Sequence, residues 1–373
     1  MRLLHIGDLH LGKRVNDFSM IDDQEYILNQ IIKISSDNNC QGIIISGDVF
    51  DKSIPSEEAV KLFNKFLTRL VNKNLYVFIV SGNHDSAQRL SFASDLLEKS
   101  KVYISPNYNG KINSIKLTDE FGELNFWLLP FIKPSDVKNV YKDETFSSYT
   151  DAVRFAVNKL DADYSKRNII LAHQFVTQQD DTNLGGIDNV DYSVFEKFDY
   201  TALGHVHKAY HIGNKNIRYS GSPLKYSDKE VNQEKSVTLV DIKEKGNINI
   251  SLVKLKPLHD MREIRGTYLE LSAKSFYENT DTKDYIHVVL TDEEDVIDAI
   301  GKLRVIYENI LTLRYDNKRT KKNNTIDLSE DVDDKKPIDM FEQLYMLQNN
   351  QQLSDKQKQL CNDIIAGIWE DEA

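Results

Sequence analysis

The sequence contains few cysteines and no long hydrophobic run. Two cysteines among 373 residues, Cys40 and Cys361, exclude a disulfide framework and fit a reducing cytosol. No apolar stretch approaches the roughly 20 residues that a membrane-spanning helix needs, so we expect no membrane contact. The short apolar stretch at the N-terminus is interrupted by Asp8 and His10, which does not fit a signal peptide. We therefore expect a cytoplasmic protein.

The sequence also lacks an excess of positive charge. Its 47 Lys and Arg residues face 58 Asp and Glu residues, which gives a net charge of −11, whereas nucleic-acid-binding proteins usually carry a basic surface. Net charge governs solubility and association rather than the chemistry of a local site, so it does not exclude DNA as a substrate. It predicts that the isolated chain binds DNA weakly, with little gain from counterion release.

Apolar runs and helical patterns alternate over the first two thirds of the chain, which predicts an α/β fold. The runs are short, rich in β-branched and aromatic residues, and end at polar turns, as buried strands do. They lie at residues 3–6, 43–45, 76–80, 124–129, 169–172 and 201–203. Apolar residues at helical spacing follow the first two runs, and antiparallel strands are predicted within residues 237–255.

The composition changes along the last third of the chain and indicates further domains. We assign residues 1–260 to the α/β domain and residues 261–317 to a small α+β module whose first strand spans 264–271. Residues 318–336 are polar and charged and predict a flexible linker. Residues 337–373 contain two amphipathic helices, whose apolar stripe needs another surface to bury it.

Five of the predicted strands are followed directly by side chains that bind metals, in four cases after a glycine. These residues are Asp8 and His10, then Asp48, then Asn83 with His84 and Asp85, then His173, and finally His205 with His207. Strands that end at one edge of a sheet deliver the residues after them to one rim. Glycine at this point lets the backbone turn sharply and approach a ligand. The pattern therefore predicts that these side chains meet.

The predicted ligands are histidines, carboxylates and one amide, with no thiolate. Such a set suits Mn²⁺, Zn²⁺ or Fe²⁺. Seven donors exceed what one tetrahedral ion with open positions can use, and they match two ions that share a carboxylate. Two ions about 3.5–4 Å apart can stabilise the attacking and leaving oxygens of an in-line phosphoryl displacement. The residues themselves thus predict hydrolysis of a phosphate ester.

The motifs DxH, GDxxD, GNHD, a lone His and GHxH occur here in the order typical of the calcineurin-like metallophosphoesterase superfamily, which the chain resembles. Within that superfamily the whole chain is similar to the nuclease subunits of bacterial SbcCD complexes. The resemblance implies a two-sheet metallophosphoesterase sandwich flanked by helices, followed by a small α+β capping domain and C-terminal helices. It also implies two divalent ions, with Mn²⁺ favoured.

The resemblance assigns a role to each residue of the motifs. One ion would take Asp8, His10 and His207, the other would take Asn83, His173 and His205, and Asp48 would bridge them. His84 would contact the scissile phosphate and protonate the leaving oxygen, and Asp85 would orient His84. Asp51, at the end of GDxxD, would contact the ligands and not the ions.

For activity, the resemblance implies a metal-dependent DNA nuclease, a 3′–5′ exonuclease on double strands and an endonuclease on single strands and hairpins. It would work as a homodimer bound to two SbcC ATPases, whose ATP binding controls access to DNA. Its roles would be DNA end and hairpin processing, recombination and replication, at the nucleoid. Two alternatives stay open: a phosphatase or phosphodiesterase for small molecules on the same core, and a non-catalytic scaffold of a DNA complex.

Two further groups of residues are predicted to contact partners. Lys13, Arg14, Lys52 and Arg89 follow the ligand motifs and are candidates to bind DNA phosphates, although charged loop residues are more often simply solvated. The stripe on the terminal helices is predicted to bind SbcC through Phe341, Leu344, Leu360, Ile364, Ile365 and Ile368.

Overall fold

The computed structural model describes residues 1–178, 188–322, 337–349 and 351–370. Contacts divide the chain into two units, Met1–Asp260 and Met261–Ala373. No helix within the described ranges combines the length and the apolar character that a membrane span requires.

The first unit is built on two six-stranded sheets. In the first sheet the strand Arg2–Ile6 pairs in parallel with Gly42–Ser46 and antiparallel with Ser236–Ile242. The order of strands across this sheet is Ile248–Lys254, Ser236–Ile242, Arg2–Ile6, Gly42–Ser46, Tyr76–Val80 and Val102–Ile104. Ile43, Ile44 and Ile45 are all fully buried, as expected of β-branched residues in a central parallel strand that is covered on both faces.

The second sheet is also mixed. Its strands follow the order Tyr210–His211, Ile217–Tyr219, Tyr200–Leu203, Arg167–Ala172, Gly122–Leu128 and Asn113–Asp119. The strands Tyr200–Leu203 and Arg167–Ala172 are parallel and in register, with Leu203 opposite Ala172. Both therefore end at the same edge of the sheet.

The two sheets pack face to face, and helices flank them. The rings of Phe78 and Phe126, one from each sheet, stack with their centroids 4.0 Å apart in the core between the sheets. The longer helices of this unit are Ile21–Asp37, Glu57–Asn72, Pro134–Val140 and Tyr149–Asn158. The shorter helices are Ala87–Leu90, Ser94–Leu97, Glu98–Ser100, Tyr192–Phe195 and Asp228–Glu230. Two short strand pairs lie outside the main sheets: Arg14–Val15 pairs with Phe18–Ser19, and Phe175–Thr177 pairs with Asn189–Asp191. The predicted α/β sandwich of two sheets is confirmed.

The second unit contains a three-stranded parallel sheet. Its strands are Met261–Gly266, Tyr285–Leu290 and Asn309–Tyr315, and its helices are Tyr268–Ser272, Lys274–Tyr277 and Ala299–Arg304. The first strand ends at Gly266 and not at residue 271 as predicted. Thr267 and Glu270 form a capping box there, so a helix begins where the apolar pattern had suggested more strand.

A helix, Lys318–Lys322, occupies the start of the segment that was predicted to be a flexible linker. The side chains of Asn317 and Thr320 each accept a hydrogen bond from the other residue's backbone N–H, and Arg319 pairs with Asp295 at 2.6 Å. The structure differs from the prediction because this local capping, which composition does not reveal, fixes the backbone. Residues 323–336 of the predicted linker lie outside the described residues. The terminal helices are Pro337–Asn349 and Asp355–Glu370.

Candidate metal centre

The candidate site lies where five strands of the two sheets end. The strands that precede the predicted ligands are Arg2–Ile6, Gly42–Ser46, Tyr76–Val80, Arg167–Ala172 and Tyr200–Leu203. Hydrogen bonds join the loops that follow: the Asp8 N–H donates to the Gly47 carbonyl at 3.0 Å, and the His205 N–H donates to Asp8 Oδ1 at 2.8 Å. The structure therefore brings residues from all five motifs together.

The backbone adopts an unfavourable conformation at four of the predicted ligands. Asp8, His10, Asp48 and His205 have φ values of 51°, 45°, 49° and 96°, a positive range that residues with a side chain rarely enter. The His10 N–H donates to the Asp48 carbonyl at 2.9 Å and helps to hold the two loops in this conformation. Gly47 completes the turn with a φ of 92°, and a Cβ at this position would lie 2.3 Å from the ring of His173.

Asp8, His10 and His207 form the first ligand group. Their ligand atoms lie within 4.8 Å of one another, and the Nε2 atoms of His10 and His207 are 3.1 Å apart. Asp8 is fully buried, and its Oδ2 has no hydrogen-bond partner among the described residues. A buried carboxylate oxygen without a partner, close to two imidazole nitrogens, is an arrangement that a cation would satisfy.

Asn83, His173 and His205 form the second ligand group. Asn83 Oδ1 lies 3.1 Å from His173 Nε2 and 3.1 Å from His205 Nδ1. Asp48 lies between the two groups, since its Oδ2 is 3.3 Å from His173 Nε2 and 3.6 Å from His10 Nε2. Histidine, carboxylate and amide donors in two groups with a carboxylate between them fit two divalent ions that share a ligand.

The electrostatics of the second group depend on the pair formed by Asp48 and His173. Burial alone would raise the pKa of the Asp48 carboxyl, but the charge of His173 and the hydrogen bond to it hold that pKa well below its usual range. Burial alone would lower the pKa of His173, but the Asp48 carboxylate outweighs burial and raises this pKa to about 9. A metal ion would replace the proton as the partner of the carboxylate, because the His173 lone pair must be free to ligate.

Hydrogen bonds to the far nitrogens set which ring atom two of the histidines present to the site. His173 Nδ1 donates to the Ser46 carbonyl at 2.7 Å, which leaves Nε2 for a ligand. His207 Nδ1 lies 2.9 Å from Oε1 of Glu230, a buried carboxylate. Sequence reasoning missed Glu230, because it lies 23 positions after His207 in a charged turn that belongs to none of the motifs.

His84 and Asp85 do not have the relation predicted for them. His84 is exposed at the open side of the site, and its Nδ1 donates to the Asp51 carbonyl at 3.0 Å. The Asp85 carboxylate accepts hydrogen bonds from the backbone N–H groups of Val49 at 3.1 Å, Phe50 at 2.9 Å and Gly82 at 2.9 Å. Asp85 is therefore corrected from an orienting partner of His84 to a residue that ties two ligand loops together. Three backbone donors outcompete one imidazole for its two oxygens.

Asp51 and Lys13 lie behind His10 and pair with each other. Asp51 Oδ1 is 3.5 Å from His10 Nδ1 and 2.7 Å from Lys13 Nζ. Burial would raise the pKa of Asp51, but His10 and Lys13 lower it to about 2. Asp51 thus lies beside His10, and its role in supporting the ligands stays a prediction. Lys13 is engaged by this carboxylate, so the structure does not present it as a free contact for DNA.

The other three predicted DNA contacts lie at the surface. The Arg14 guanidinium donates to the Asp17 carbonyl, and Lys52 and Arg89 are exposed. Lys52 lies in the bend after GDxxD and Arg89 lies in the short helix Ala87–Leu90, and both side chains are available to solvent.

Family models match parts of both units, and a known protein matches the whole chain. Residues 1–209 match the family model for calcineurin-like phosphoesterases, and residues 257–349 match the model described as type 5 capsule protein repressor C-terminal domain. The chain is 31% identical over 386 residues to the SbcD component of nuclease SbcCD from Staphylococcus epidermidis, and the alignment covers 100% of both chains. Among solved structures, it is similar to a dimetal phosphatase from Danio rerio with a TM-score of 0.42 and 11% identity, over 69% of this chain and 98% of that one.

Proposed function

This chain belongs to the calcineurin-like phosphoesterase family and is a hydrolase, and from that premise we propose that it is a metal-dependent DNA nuclease. One observation carries the proposal: ligands from five strand ends converge in two groups, with Asp48 between them. The full-length similarity to a nuclease component selects DNA from among the phosphate esters that such a centre could hydrolyse.

In the proposed centre the chain's own residues hold two ions and the substrate. Asp8, His10 and His207 hold one ion, Asn83, His173 and His205 hold the other, and the Asp48 carboxylate is shared. When bound, two divalent ions, which we propose to be Mn²⁺, supply Lewis acidity and an activated water for phosphoryl transfer. His84 donates Nδ1–H to the Asp51 carbonyl, so its Nε2 is the nitrogen left to face the substrate. In its doubly protonated form it passes the Nε2 proton to the leaving oxygen.

The finer activities follow from the same family premise. We propose 3′–5′ exonuclease activity on double-stranded DNA, endonuclease activity on single strands and hairpins, and control by ATP through an SbcC partner. The cellular roles would be end and hairpin processing, recombination and replication in the cytoplasm, at the nucleoid. The similarity to the SbcD component of nuclease SbcCD, which extends over the second unit as well as the catalytic one, supports this proposal.

A comparison of substrates tests the proposal. In Mn²⁺ the purified chain is expected to degrade a blunt linear duplex and to open a DNA hairpin much faster than it cleaves a small aryl phosphodiester. The measurement is turnover of each substrate at equal concentration, with a chelator-treated sample as the control. Cleavage of the small ester alone would contradict the nuclease and favour the small-molecule phosphodiesterase. Cleavage of neither would favour the non-catalytic scaffold.

We propose that the two terminal helices bind the SbcC partner. Phe341, Leu344, Leu360 and Ile364 expose 44%, 46%, 59% and 54% of their surface, and Ile365 is half-buried. Lys358 and Glu342 pair at 2.6 Å and join the two helices. The Ile368 side chain lies outside the described residues. Exposed apolar residues on paired helices are typical of a surface that a partner covers.

Charge placed on this surface is expected to abolish partner binding. The double variant Leu360→Asp and Ile364→Asp should lose SbcC in a pull-down or by isothermal titration calorimetry, because two carboxylates would have to be desolvated in an apolar interface. Deletion of the residues after Asp334 should have the same effect. Basal Mn²⁺-dependent cleavage should be unchanged in both, and the matched variant Gln359→Asp should bind normally. Binding retained by the double variant or by the deletion would contradict the proposed surface.

We also propose that the chain forms a homodimer through an apolar surface next to the site. Phe92, Leu96 and Ile54 are exposed to 82%, 69% and 67%. Phe92 also lines a groove of about 390 Å³, together with Phe63 and Leu67 and with the polar side chains of Asn64 and Arg89. An exposed apolar patch of this kind is a surface that a second copy of the chain would bury in a two-fold interface.

A further inference from the structure

A charged pair stands behind His207 on the side away from the other ligands. Glu230 ends the short helix Asp228–Glu230, and the residue is 4% exposed. Its Oε1 is 2.9 Å from His207 Nδ1, and its Oε2 is 2.6 Å from Lys235 Nζ. Ser227 donates a further hydrogen bond to Oε1 at 3.1 Å, and Ser222 Oγ lies 3.3 Å from Oε2.

Lys235 also contacts His207, through the backbone carbonyl of that residue. The residue is 8% exposed, and its ammonium group lies 2.9 Å from the His207 carbonyl oxygen as well as 2.9 Å from Ser222 Oγ and Gln233 Oε1. Glu230 therefore restrains the ring of His207 while Lys235 restrains its backbone. The two restraints are joined to each other through the ion pair.

The pair is poorly explained as a device for stability. Burying two charges costs several kcal/mol of desolvation per ion, so apolar residues of the same volume would often serve stability as well or better. The pair instead restrains the least buried member of the first ligand group. The side chain of His207 is 28% exposed, whereas that of His10 in the same ligand group is 3% exposed and Asp8 is fully buried.

We propose that Glu230 and Lys235 are positioning residues for the ligand His207, an inference that rests on the proposed function of the centre. The carboxylate accepts a hydrogen bond from Nδ1–H, which leaves the Nε2 lone pair directed at Asp8 and His10, and it makes the imidazole a stronger donor to a metal ion. Lys235 pairs with the carboxylate at 2.6 Å and donates to the carbonyl of the peptide that carries the ring. Neither residue touches substrate.

Mn²⁺ binding to the full chain tests this proposal independently of DNA cleavage. The chelator-treated protein is titrated with Mn²⁺ by calorimetry, and electron paramagnetic resonance reports whether two coupled ions are bound. The variant Glu230→Gln, Lys235→Met removes both charges, so that no buried ion is left unpaired. It is expected to weaken Mn²⁺ binding at one of the two sites about 10–100-fold, which is the typical loss when the hydrogen-bond partner of a metal-bound histidine is removed. The other site should keep its affinity.

A control separates positioning from stability. Arg167 and Asp119 form another ion pair in the first unit, at 2.5 Å, with Arg167 2% exposed. The variant Arg167→Met, Asp119→Asn should lower the melting temperature in chelator and leave both Mn²⁺ affinities unchanged. Two wild-type affinities in the Glu230 and Lys235 double variant would overturn the inference. Two-site Mn²⁺ binding by a wild-type chain that cleaves no DNA would instead overturn the proposed nuclease and leave the inference standing.

Discussion

Replacing Asp48 by Asn is expected to lower Mn²⁺-dependent DNA cleavage at least about 10³-fold, or ~4 kcal/mol of transition-state stabilisation. Asp48 Oδ2 lies 3.3 Å from a nitrogen of the second ligand group and 3.6 Å from a nitrogen of the first. An amide oxygen in its place carries no net charge, so it holds two dications side by side much less well. The loss should therefore affect both ions.

The substitution Asp48→Asn tests the charge of this residue, because it leaves the shape of the site almost unchanged. The His84 N–H donates to Asp48 Oδ1 at 2.9 Å, and the amide oxygen of Asn can accept the same hydrogen bond. In chelator the raised pKa of His173, about 9, should fall towards the value that burial favours, because the carboxylate that raises it is gone. A histidine titration followed by NMR measures this change directly.

The measurements for Asp48→Asn are turnover on duplex DNA and the number of Mn²⁺ ions bound. The matched control is Asp37→Asn, which makes the same chemical change at an exposed carboxylate that pairs with Lys33 at 2.5 Å. The control should keep wild-type cleavage and both ions. Two tightly bound ions in Asp48→Asn, with cleavage near the wild-type rate, would refute a shared carboxylate.

The ligands could be located from sequence because their positions depend on strand ends, which short β-branched runs mark well. Asp48 follows the buried strand Gly42–Ser46, and His173 follows Arg167–Ala172, as the apolar runs predicted. The glycine before Asp48 could also be interpreted correctly, since only a residue without Cβ fits against the His173 ring. The family resemblance then supplied the predicted partition of the ligands. The structure brings Asp8, His10 and His207 within 4.8 Å of one another and places Asn83 Oδ1 3.1 Å from both His173 and His205.

The partners of the ligands could not be predicted in the same way. Whether Asp85 bonds to His84 or to the backbone of another loop depends on which donors reach it after folding, and the backbone of Val49, Phe50 and Gly82 does so. Glu230 reaches His207 across 23 positions of chain. A polar residue in a loop carries no periodic signal, so such contacts are decided by tertiary structure alone.

In the second unit, the helix starts that depend on side-chain caps could not be predicted from the sequence. Thr267 with Glu270, and Asn317 with Thr320, start helices where the apolar pattern predicted strand and the composition predicted linker. Each cap depends on two residues in particular rotamers, which an average over composition cannot detect. The strands of this module could be predicted because buried residues follow one another along the chain, as in Tyr285–Leu290, and leave a continuous apolar run in the sequence.

Replacing His84 by Gln is expected to lower DNA cleavage about 10²–10⁴-fold, the range for a group that transfers a proton in the transition state. Gln can still hydrogen-bond to a phosphate oxygen, but it cannot give up a proton to the leaving oxygen. His84 is exposed at the open side of the site, and its ring centroid lies 4.9 Å from that of His10. It is thus placed beside the first ligand group.

The metal content of His84→Gln decides between two roles for this histidine. His84 also lies within 4.8 Å of His10 and Asp48 as a possible ligand. If it acts on the substrate, the variant should bind two Mn²⁺ ions with wild-type affinity and lose cleavage, while His211→Gln, the same change at an exposed histidine, should lose neither. Loss of an ion together with cleavage would make His84 a ligand, and unchanged cleavage would remove it from the reaction. Because Nδ1 is already committed to the Asp51 carbonyl, proton transfer and ligation compete for the single remaining nitrogen, Nε2, and one residue cannot serve both.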